Sequence, residues 1–155
     1  MIQALLQQVV DQSFDQILAW AEAEAQAAAT KGRPLTPDEI ALASKSGVQQ
    51  PERIRIVETE QIKLPLVADI PEAAAMLGLD HAGPAGLTLG YAILARPEAL
   101  SPRLIAHEAR HVYQFETSEG SLERFLREYL RQIIHHGYLD APWEIDARQF
   151  EQVSD

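Results

Sequence analysis

The 155-residue chain is 46% hydrophobic and 23% charged, which is ordinary for a soluble globular protein, and its length is most simply one domain, residues 1–155. Its formal net charge of -10, from 13 Lys and Arg against 23 Asp and Glu, disfavours nucleic acid and anionic membranes as partners, because both need their phosphates neutralised. The absence of cysteine excludes disulfides and thiolate ligands, so any metal here has to be held by His, Asp or Glu.

The first part of the chain predicts two helices. Residues 2–29 place apolar side chains at i, i+3, i+4 and i+7, which predicts one long helix that Lys31 and Gly32 end. Its apolar face is expected to pack on the core, so that the N-terminal helix, residues 1–30, belongs to the same domain. A second helix is predicted to begin after Thr36, which can cap it, and to end near Gly47.

The middle of the chain predicts strands and the second half predicts helices. Residues 53–57 alternate as a strand does, 61–70 predict a second strand, 71–77 a short helix, 81–86 a turn-rich loop and 87–95 a third strand. Helices are predicted from Ser101 to about Glu116, from Gly120 to about His135, and from Asp140, as the N-cap, to about Gln152. The order predicts an α+β fold, with a small, mostly antiparallel sheet and helices packed on one face.

One of these helices carries a motif of metal chemistry, His107-Glu108-Ala109-Arg110-His111. His107 and His111 are four residues apart, so their imidazoles lie on one helix face and can bind one Zn²⁺ at about 2.0–2.1 Å each. Glu108 lies beside the first histidine and can reach a water molecule on the metal without binding the metal itself. It is then placed to take a proton from that water and return it to a leaving amine.

A third ligand has to come from elsewhere in the chain. Metzincins continue the motif as HExxHxxGxxH, but Gln114 and Thr117 stand at the Gly and His positions, which excludes that class. An acidic residue from a later helix can complete a site of two histidines and one carboxylate. The candidates are Glu144 and Asp146 of the last predicted helix.

These two acids lie about 200° apart around a helix axis, so only one of them can face the metal. We favour Glu144, because its face carries small residues that permit a close helix approach, Ala141 and Ala147. Asp146 shares its face with larger side chains and is expected to accept a hydrogen bond from a ligand imidazole instead.

The stretch from His107 to Gln114, followed by Pro142-Trp143-Glu144-Ile145-Asp146-Ala147, resembles the compact bacterial gluzincins, or minigluzincins. The resemblance covers the predicted strand at 87–95 and everything after it, somewhat under half of the chain. It implies a zincin-like fold and metallopeptidase activity, with His107, His111 and Glu144 as zinc ligands and Glu108 as general base. It also implies that an extended peptide pairs with an edge strand through Gly90, Tyr91 and Ala92.

The chain departs from the larger gluzincins in two respects. They carry an Asp four residues after the ligand Glu, where this chain has Arg148, and they have an extra helical domain that forms the far wall of the cleft. The donor that stabilises the oxyanion is left open among His135, His136, Tyr138 and Arg148. For the two histidines, the alternative is a polar helix end, where the negative end of the helix dipole favours them.

The leading functional prediction is zinc-dependent hydrolysis of a bond in a peptide or protein substrate. The alternative is a binding or regulatory module that keeps the zincin fold without turnover, and a zinc hydrolase of non-peptide bonds is a third option. The first 14 residues carry no Lys or Arg, and no apolar run approaches the roughly 18 residues of a membrane span. A cytoplasmic location is therefore expected, and the sequence leaves the oligomeric state open.

Overall fold

A computed structural model describes residues 2–62, 64–65 and 84–152 of the chain. Its helices and strands are, in chain order, α1 (Ile2–Lys31), β1 (Arg33–Pro34), α2 (Pro37–Lys45), β2 (Arg55–Glu58), β3 (Gly86–Leu89), β4 (Ala92–Ala95), α3 (Pro102–Thr117), α4 (Leu122–Asp140) and α5 (Pro142–Gln149). Short 3-10 helices, Pro51–Arg53 and Pro97–Ala99, precede β2 and α3. Most of the strand predicted at 61–70, the helix at 71–77 and the loop through 83 lie outside the described residues.

The strands form one four-stranded sheet in the order β1-β2-β4-β3. The outer pairs, β1 with β2 and β3 with β4, are antiparallel, whereas β2 and β4 are parallel. The predicted α+β class with a small, mostly antiparallel sheet is confirmed. The single strand predicted at 87–95 is wrong: Gly90 adopts φ +69°, which favours glycine, and the chain reverses there into a hairpin.

Helices cover both faces of this sheet, which corrects the prediction that they lie on one face. Ile93 of β4 packs in a cluster with residues of α2 and α3, among them Ala43 and Val112. The next residue, Leu94, packs in a second cluster with α1 and α4, including Phe14. Successive side chains of a strand point to opposite faces, so a fully buried β4 requires cover on each side. The helix α1 supplies it on one face, and α2 with α3 on the other.

The helices begin where the sequence predicts in most cases. The Thr36 hydroxyl accepts the backbone N–H of Glu39, whose carboxylate accepts the N–H of Thr36 in return, a capping box at the start of α2. Ser101 caps α3 by accepting the N–H of Leu104. The predicted cap at Asp140 is wrong: Asp140 ends α4, and Ala141 stands at the N-cap of α5 without a side-chain hydrogen bond.

The long helix α1 packs on the sheet and on α4, as its apolar face predicts. Its buried residues include the small Ala21 and Ala28, 0% and 1% exposed, which let the helix approach its neighbours closely. Among the helices that the structure describes, none combines the length and apolar character needed to cross a membrane.

Candidate metal centre

The two histidines and the glutamate of the motif in α3 are buried. His107, Glu108 and His111 are 6%, 4% and 4% exposed, although all three are polar. They are buried because α3 packs against β3 on one side and α5 on another. A buried polar group is costly unless it is hydrogen-bonded, so the partners of these side chains determine what the site can do.

Glu144 brings the third side chain to the two histidines. Its Oε1 lies 3.1 Å from His107 Nε2, and its Oε2 lies 3.0 Å from His111 Nε2. One ligand atom from each of the three residues lies within 4.8 Å of the others, and Glu144 is 1% exposed. His107, His111 and Glu144 thus form a buried group that could hold a metal ion. Ala141 and Ala147 beside Glu144 are both fully buried, in keeping with a close approach of α5 to α3.

The second imidazole is held by Gln114, one helical turn further along α3. His111 Nδ1 donates to Gln114 Oε1 at 2.7 Å, and the amide nitrogen donates to the Trp143 carbonyl and to Asp146 Oδ2, each at 3.0 Å. Two acceptors for the amide nitrogen fix which way the amide points. The imidazole therefore carries a proton on Nδ1 and turns Nε2 toward Glu144.

Asp146 reaches the site through Gln114, which corrects the prediction that it accepts a hydrogen bond from a ligand imidazole. Besides the amide of Gln114, its carboxylate binds the guanidinium of Arg110 at 2.8 and 3.3 Å. The pKa of Asp146 is lowered, because hydrogen bonds from Arg110 and Gln114 outweigh its partial burial. Sequence reasoning missed Gln114 as a partner of His111, although its i+3 spacing from that histidine is a usable signal.

The first imidazole faces a different carboxylate. His107 Nδ1 is buried and lies 2.9 Å from Glu151 Oε1, although the two groups are not aligned as a hydrogen bond. The other carboxylate oxygen of Glu151 accepts from the guanidinium of Arg103 at 3.0 Å. The sequence analysis did not predict Glu151 as a site residue, because it lies seven residues, about two helical turns, after the last predicted ligand.

Glu108 lies beside the three-residue group without belonging to it. Its Oε2 is 3.8 Å from His107 Nε2, and the Thr88 hydroxyl is 3.0 Å from both its Oε1 and its backbone carbonyl. A Cβ at Gly86 would come within 3.2 Å of Glu108 Cγ, so glycine there leaves room for the carboxylate. Thr88 and Gly86 are further residues of the site that the sequence analysis missed.

Two tyrosines approach the carboxylate of Glu144 from α4. The half-buried Tyr129 donates its hydroxyl to Glu144 Oε2 at 2.7 Å, and burial with that negative charge raises its pKa well above the usual range. Burial and the charges of Glu144 and Glu108 likewise raise the pKa of Tyr138. Tyr138 was a candidate oxyanion donor, whereas Tyr129 was not predicted, since nothing in its local pattern separates it from a core aromatic residue.

The remaining candidate donors lie in other surroundings. His135 and His136 are exposed residues near the end of α4, and their rings contact each other. Arg148 donates to the backbone carbonyl of Leu139. Gly137, with φ +77° and ψ 166°, breaks the helix between the two histidines and Tyr138. The break gives Tyr138 a direction of its own, independent of the helical face that carries His135 and His136.

The charges of the group reinforce one another. Burial alone raises the pKa of Glu144, but hydrogen bonds from His107 and His111 reverse the effect and hold it well below its usual range. For the base His111, burial has the opposite effect and lowers the pKa. The hydrogen bond and the charge of Glu144 outweigh burial and raise the pKa of His111 to about 9. The pKa of His107 is raised for the same reason. The Glu144 carboxylate is therefore an anion shared by the imidazoles of His107 and His111. Each imidazole can bind either a proton or a cation there.

The predicted substrate edge through Gly90, Tyr91 and Ala92 is wrong. Gly90 and Tyr91 form the hairpin turn, and Ala92 opens β4, whose two sides are paired with β2 and β3. A strand with neighbours on both sides has no free N–H and C=O row to offer a peptide. Within the described part of the sheet, the edge strand beside α3 is β3.

No protein-family model matches the chain, and comparisons with curated proteins and with solved structures find no significant match. The site is thus defined by its own geometry. It joins two imidazoles and a carboxylate in one buried group, with a second carboxylate beside them.

Proposed function

We propose that this chain is a zinc-dependent peptidase of the gluzincin type. The observation that carries the proposal is the convergence of His107, His111 and Glu144 in one buried group, with the Glu108 carboxylate 3.8 Å from His107 Nε2. A separate carboxylate beside a three-ligand group is what metal-assisted hydrolysis requires, since one residue must carry protons without binding the metal.

The three side chains fit zinc in type and in spacing. Two imidazoles and one carboxylate form a ligand set used by catalytic zinc sites, which keep a fourth position for water or substrate. Two ligand atoms of a tetrahedral zinc, each about 2.0–2.1 Å from it, are about 3.3 Å apart. The contacts from Glu144 to the two Nε2 atoms, 3.1 and 3.0 Å, are close to that value. Gln114 supports the fit, because its amide oxygen accepts the hydrogen bond from Nδ1–H of His111 and leaves Nε2 for the metal.

When bound, zinc lowers the pKa of a water molecule and polarises the substrate carbonyl. Glu108 then acts as the proton carrier. Thr88 binds its Oε1 at 3.0 Å, and its Oε2 lies 3.8 Å from His107 Nε2, beside the residues that would hold the metal. The carboxylate accepts the proton of the attacking water and returns it to the leaving amine.

The side of β3 that pairs with no described strand is the proposed binding edge for the substrate. Ala85, which precedes β3, accepts a hydrogen bond from Arg96 across the hairpin at 3.0 Å, so its polar groups face β4. Backbone groups alternate in direction along an antiparallel strand, and those of Gly86 and Thr88 therefore face away from β4. An extended peptide paired there would lie beside Glu108, whose carboxylate is bound by Thr88 and lies next to the space that a side chain at Gly86 would fill.

Tyr138 is the proposed oxyanion donor. The charges of the Glu144 and Glu108 carboxylates both act on it, and a phenol hydroxyl is protonated at neutral pH, so it can donate to an oxyanion. Tyr129 has a different role, because its hydroxyl already donates to Glu144 and thereby orients that ligand. The exposed His136 and the carbonyl-bound Arg148 are less suited to the task.

Glu108→Gln tests the chemistry. The amide keeps the size and the hydrogen bond from Thr88 but cannot carry a proton, so we expect retention of fold and zinc and loss of peptide cleavage. Cleavage is followed on a mixed peptide library by mass spectrometry, with Glu98→Gln, an exposed acid, as the matched control. A Glu108→Gln protein that cleaves as fast as the parent would show that Glu108 is not the base.

One observation favours a second candidate, a metal-binding module without turnover. The four polar residues of the site are only 1–6% exposed, and a substrate needs access to the metal and to Glu108. In that case the parent would bind zinc stoichiometrically and release no fragments from the same peptide library.

A further inference from the structure

The Nδ1 atom of His107 is an unsatisfied polar atom within the candidate metal site. It is buried and has no aligned hydrogen-bond partner among the residues that the structure describes, whereas Nδ1 of His111 is satisfied by Gln114. A histidine that binds a metal through Nε2 carries its proton on Nδ1, and this N–H normally donates to a carboxylate, a carbonyl or water. The nearest carboxylate oxygen is Oε1 of Glu151, at 2.9 Å.

The backbone places Glu151 on the same side of the molecule as Glu144. Seven residues at 100° each amount to 700°, so the two glutamates are about 20° apart when viewed down the axis of α5. The chain keeps a helical course there beyond the last residue of α5, since the N–H groups of Phe150 and Glu151 bond to the carbonyls of Ala147 and Arg148. The two carboxylates thus reach His107 from one face, about two turns apart, one at Nε2 and one at Nδ1.

Arg148 stands four residues after Glu144, one helical turn further along, and its guanidinium binds the Leu139 carbonyl. No acid is therefore available to His107 at that spacing, while the next turn supplies one at Glu151.

We propose that Glu151 is a positioning residue of the metal centre, whose carboxylate accepts the Nδ1–H of His107 and holds Nε2 toward the metal. A small rotation of the carboxylate aligns the 2.9 Å contact as a hydrogen bond once the imidazole proton resides on Nδ1. This inference rests on the proposed zinc site. It adds a carboxylate partner for His107 to the amide partner of His111, so that both imidazoles are oriented from their far side.

Arg103 offers a matched control. It binds the other oxygen of Glu151 at 3.0 Å, but its side chain is 72% exposed, so this ion pair contributes little by itself. Arg103→Met removes the ion pair and leaves the contact of Glu151 with His107 in place. Glu151→Ala removes both contacts, and Glu151→Gln keeps a neutral acceptor oxygen.

The experiment measures zinc affinity of the full chain by competition with a chromogenic chelator. We expect Glu151→Ala to bind zinc about 10–100-fold more weakly than the parent, and Arg103→Met to remain within about threefold of it. Glu151→Gln should lie between them, because its amide oxygen still accepts from Nδ1. In the zinc-loaded parent, ¹⁵N-edited NMR should detect a slowly exchanging Nδ1 proton on His107, which Glu151→Ala should lose.

The outcomes separate this inference from the function on which it rests. A parent that binds no zinc overturns the zinc site and the inference together. Equal affinity of the parent and Glu151→Ala overturns the role of Glu151 alone, as does an equal loss in Glu151→Ala and Arg103→Met. If Glu151→Ala fails to fold, Glu151→Gln decides: a zinc affinity equal to that of the parent refutes the proposal, since an intermediate affinity is expected.

Discussion

Gly86→Ala should impair hydrolysis without weakening zinc binding. The added methyl carbon would lie 3.2 Å from Cγ and 3.3 Å from Cδ of Glu108, and 3.3 Å from Cδ1 of Leu104. Carbon atoms in favourable contact are about 3.5–4.0 Å apart, so Glu108 has to move by a few tenths of an ångström. None of the three atoms nearest to the new methyl group belongs to the proposed ligands His107, His111 and Glu144.

The magnitude follows from that displacement. A misplacement of 1 Å at a catalytic group costs about 100-fold in rate, so a shift of about half that size costs roughly tenfold. Overpacking a tight contact also costs about 1–3 kcal/mol of stability. We therefore expect kcat/KM to fall about tenfold and the free energy of unfolding to drop by about 1–3 kcal/mol, at unchanged zinc stoichiometry.

The assay combines peptide cleavage, urea unfolding and zinc analysis on the same preparations. Adding Leu104→Ala is the control, because it removes the contact with Leu104 but not those with Glu108. The double variant should regain packing at residue 86 while the loss in rate persists. Full activity of Gly86→Ala, or loss of its zinc, would refute the reasoning that Gly86 makes room for the proton carrier.

Three further predictions concern the ligands. Tyr129→Phe removes the hydroxyl bound to Glu144 and should lower the free energy of unfolding of the zinc-stripped protein by about 1.5 kcal/mol. This is the low end for a hydrogen bond to a charge, because Tyr129 is only half-buried. An unchanged urea midpoint would contradict this prediction. Because the pKa of His111 is raised to about 9, the imidazole of the zinc-stripped protein is protonated at pH 7.5. Zinc binding should therefore release protons, and zinc affinity should increase as the pH rises toward 9. Identical calorimetric heats in buffers of different ionisation enthalpy would contradict the release of protons. Glu144→Ala should lose zinc in a dialysis assay that Asp146→Ala largely survives, because Asp146 acts only through Gln114, and equal losses would place both acids in one role.

The central features of the site could be predicted because they depend on local spacing. His107 and His111 share a helix face wherever the surrounding helix goes, and the capping residue Ser101 and the apolar periodicity indicated that helix. The face of Glu144 could be chosen because small neighbours such as Ala147 permit close packing, and Ala147 is fully buried. These inferences need only helical geometry and side-chain size.

The partners of the ligands could not be predicted, because they depend on how separate elements pack. Tyr129 reaches Glu144 from another helix, and Thr88 reaches Glu108 from a strand 20 residues earlier. No sequence period reports such contacts. Predicting the role of Glu151 requires knowing that the chain keeps its helical course beyond Gln149. The predicted helix, which ends near Gln152, includes Glu151 but does not distinguish it from its neighbours.

The sequence contains two signals for the observed sheet that the predicted single strand at 87–95 does not use. An isolated glycine in an apolar run marks a bulge or a turn, and Gly90 divides 87–95 into two strands. The uninterrupted apolar run Ala92–Ala95 is also typical of a strand buried on both faces, which indicates helices on either side. With both signals read, the hairpin and the two-sided packing follow from the sequence, whereas the parallel pairing of β2 with β4 does not.

The most direct test of the account is the metal content of the purified full-length protein, measured by inductively coupled plasma mass spectrometry. We expect about one zinc per chain in the parent and background levels in the double variant His107→Ala/His111→Ala, because the chain has no thiols to provide another high-affinity site. A parent that carries no zinc after growth and dialysis in zinc-containing medium, or a double variant that keeps a full equivalent, would contradict the central claim.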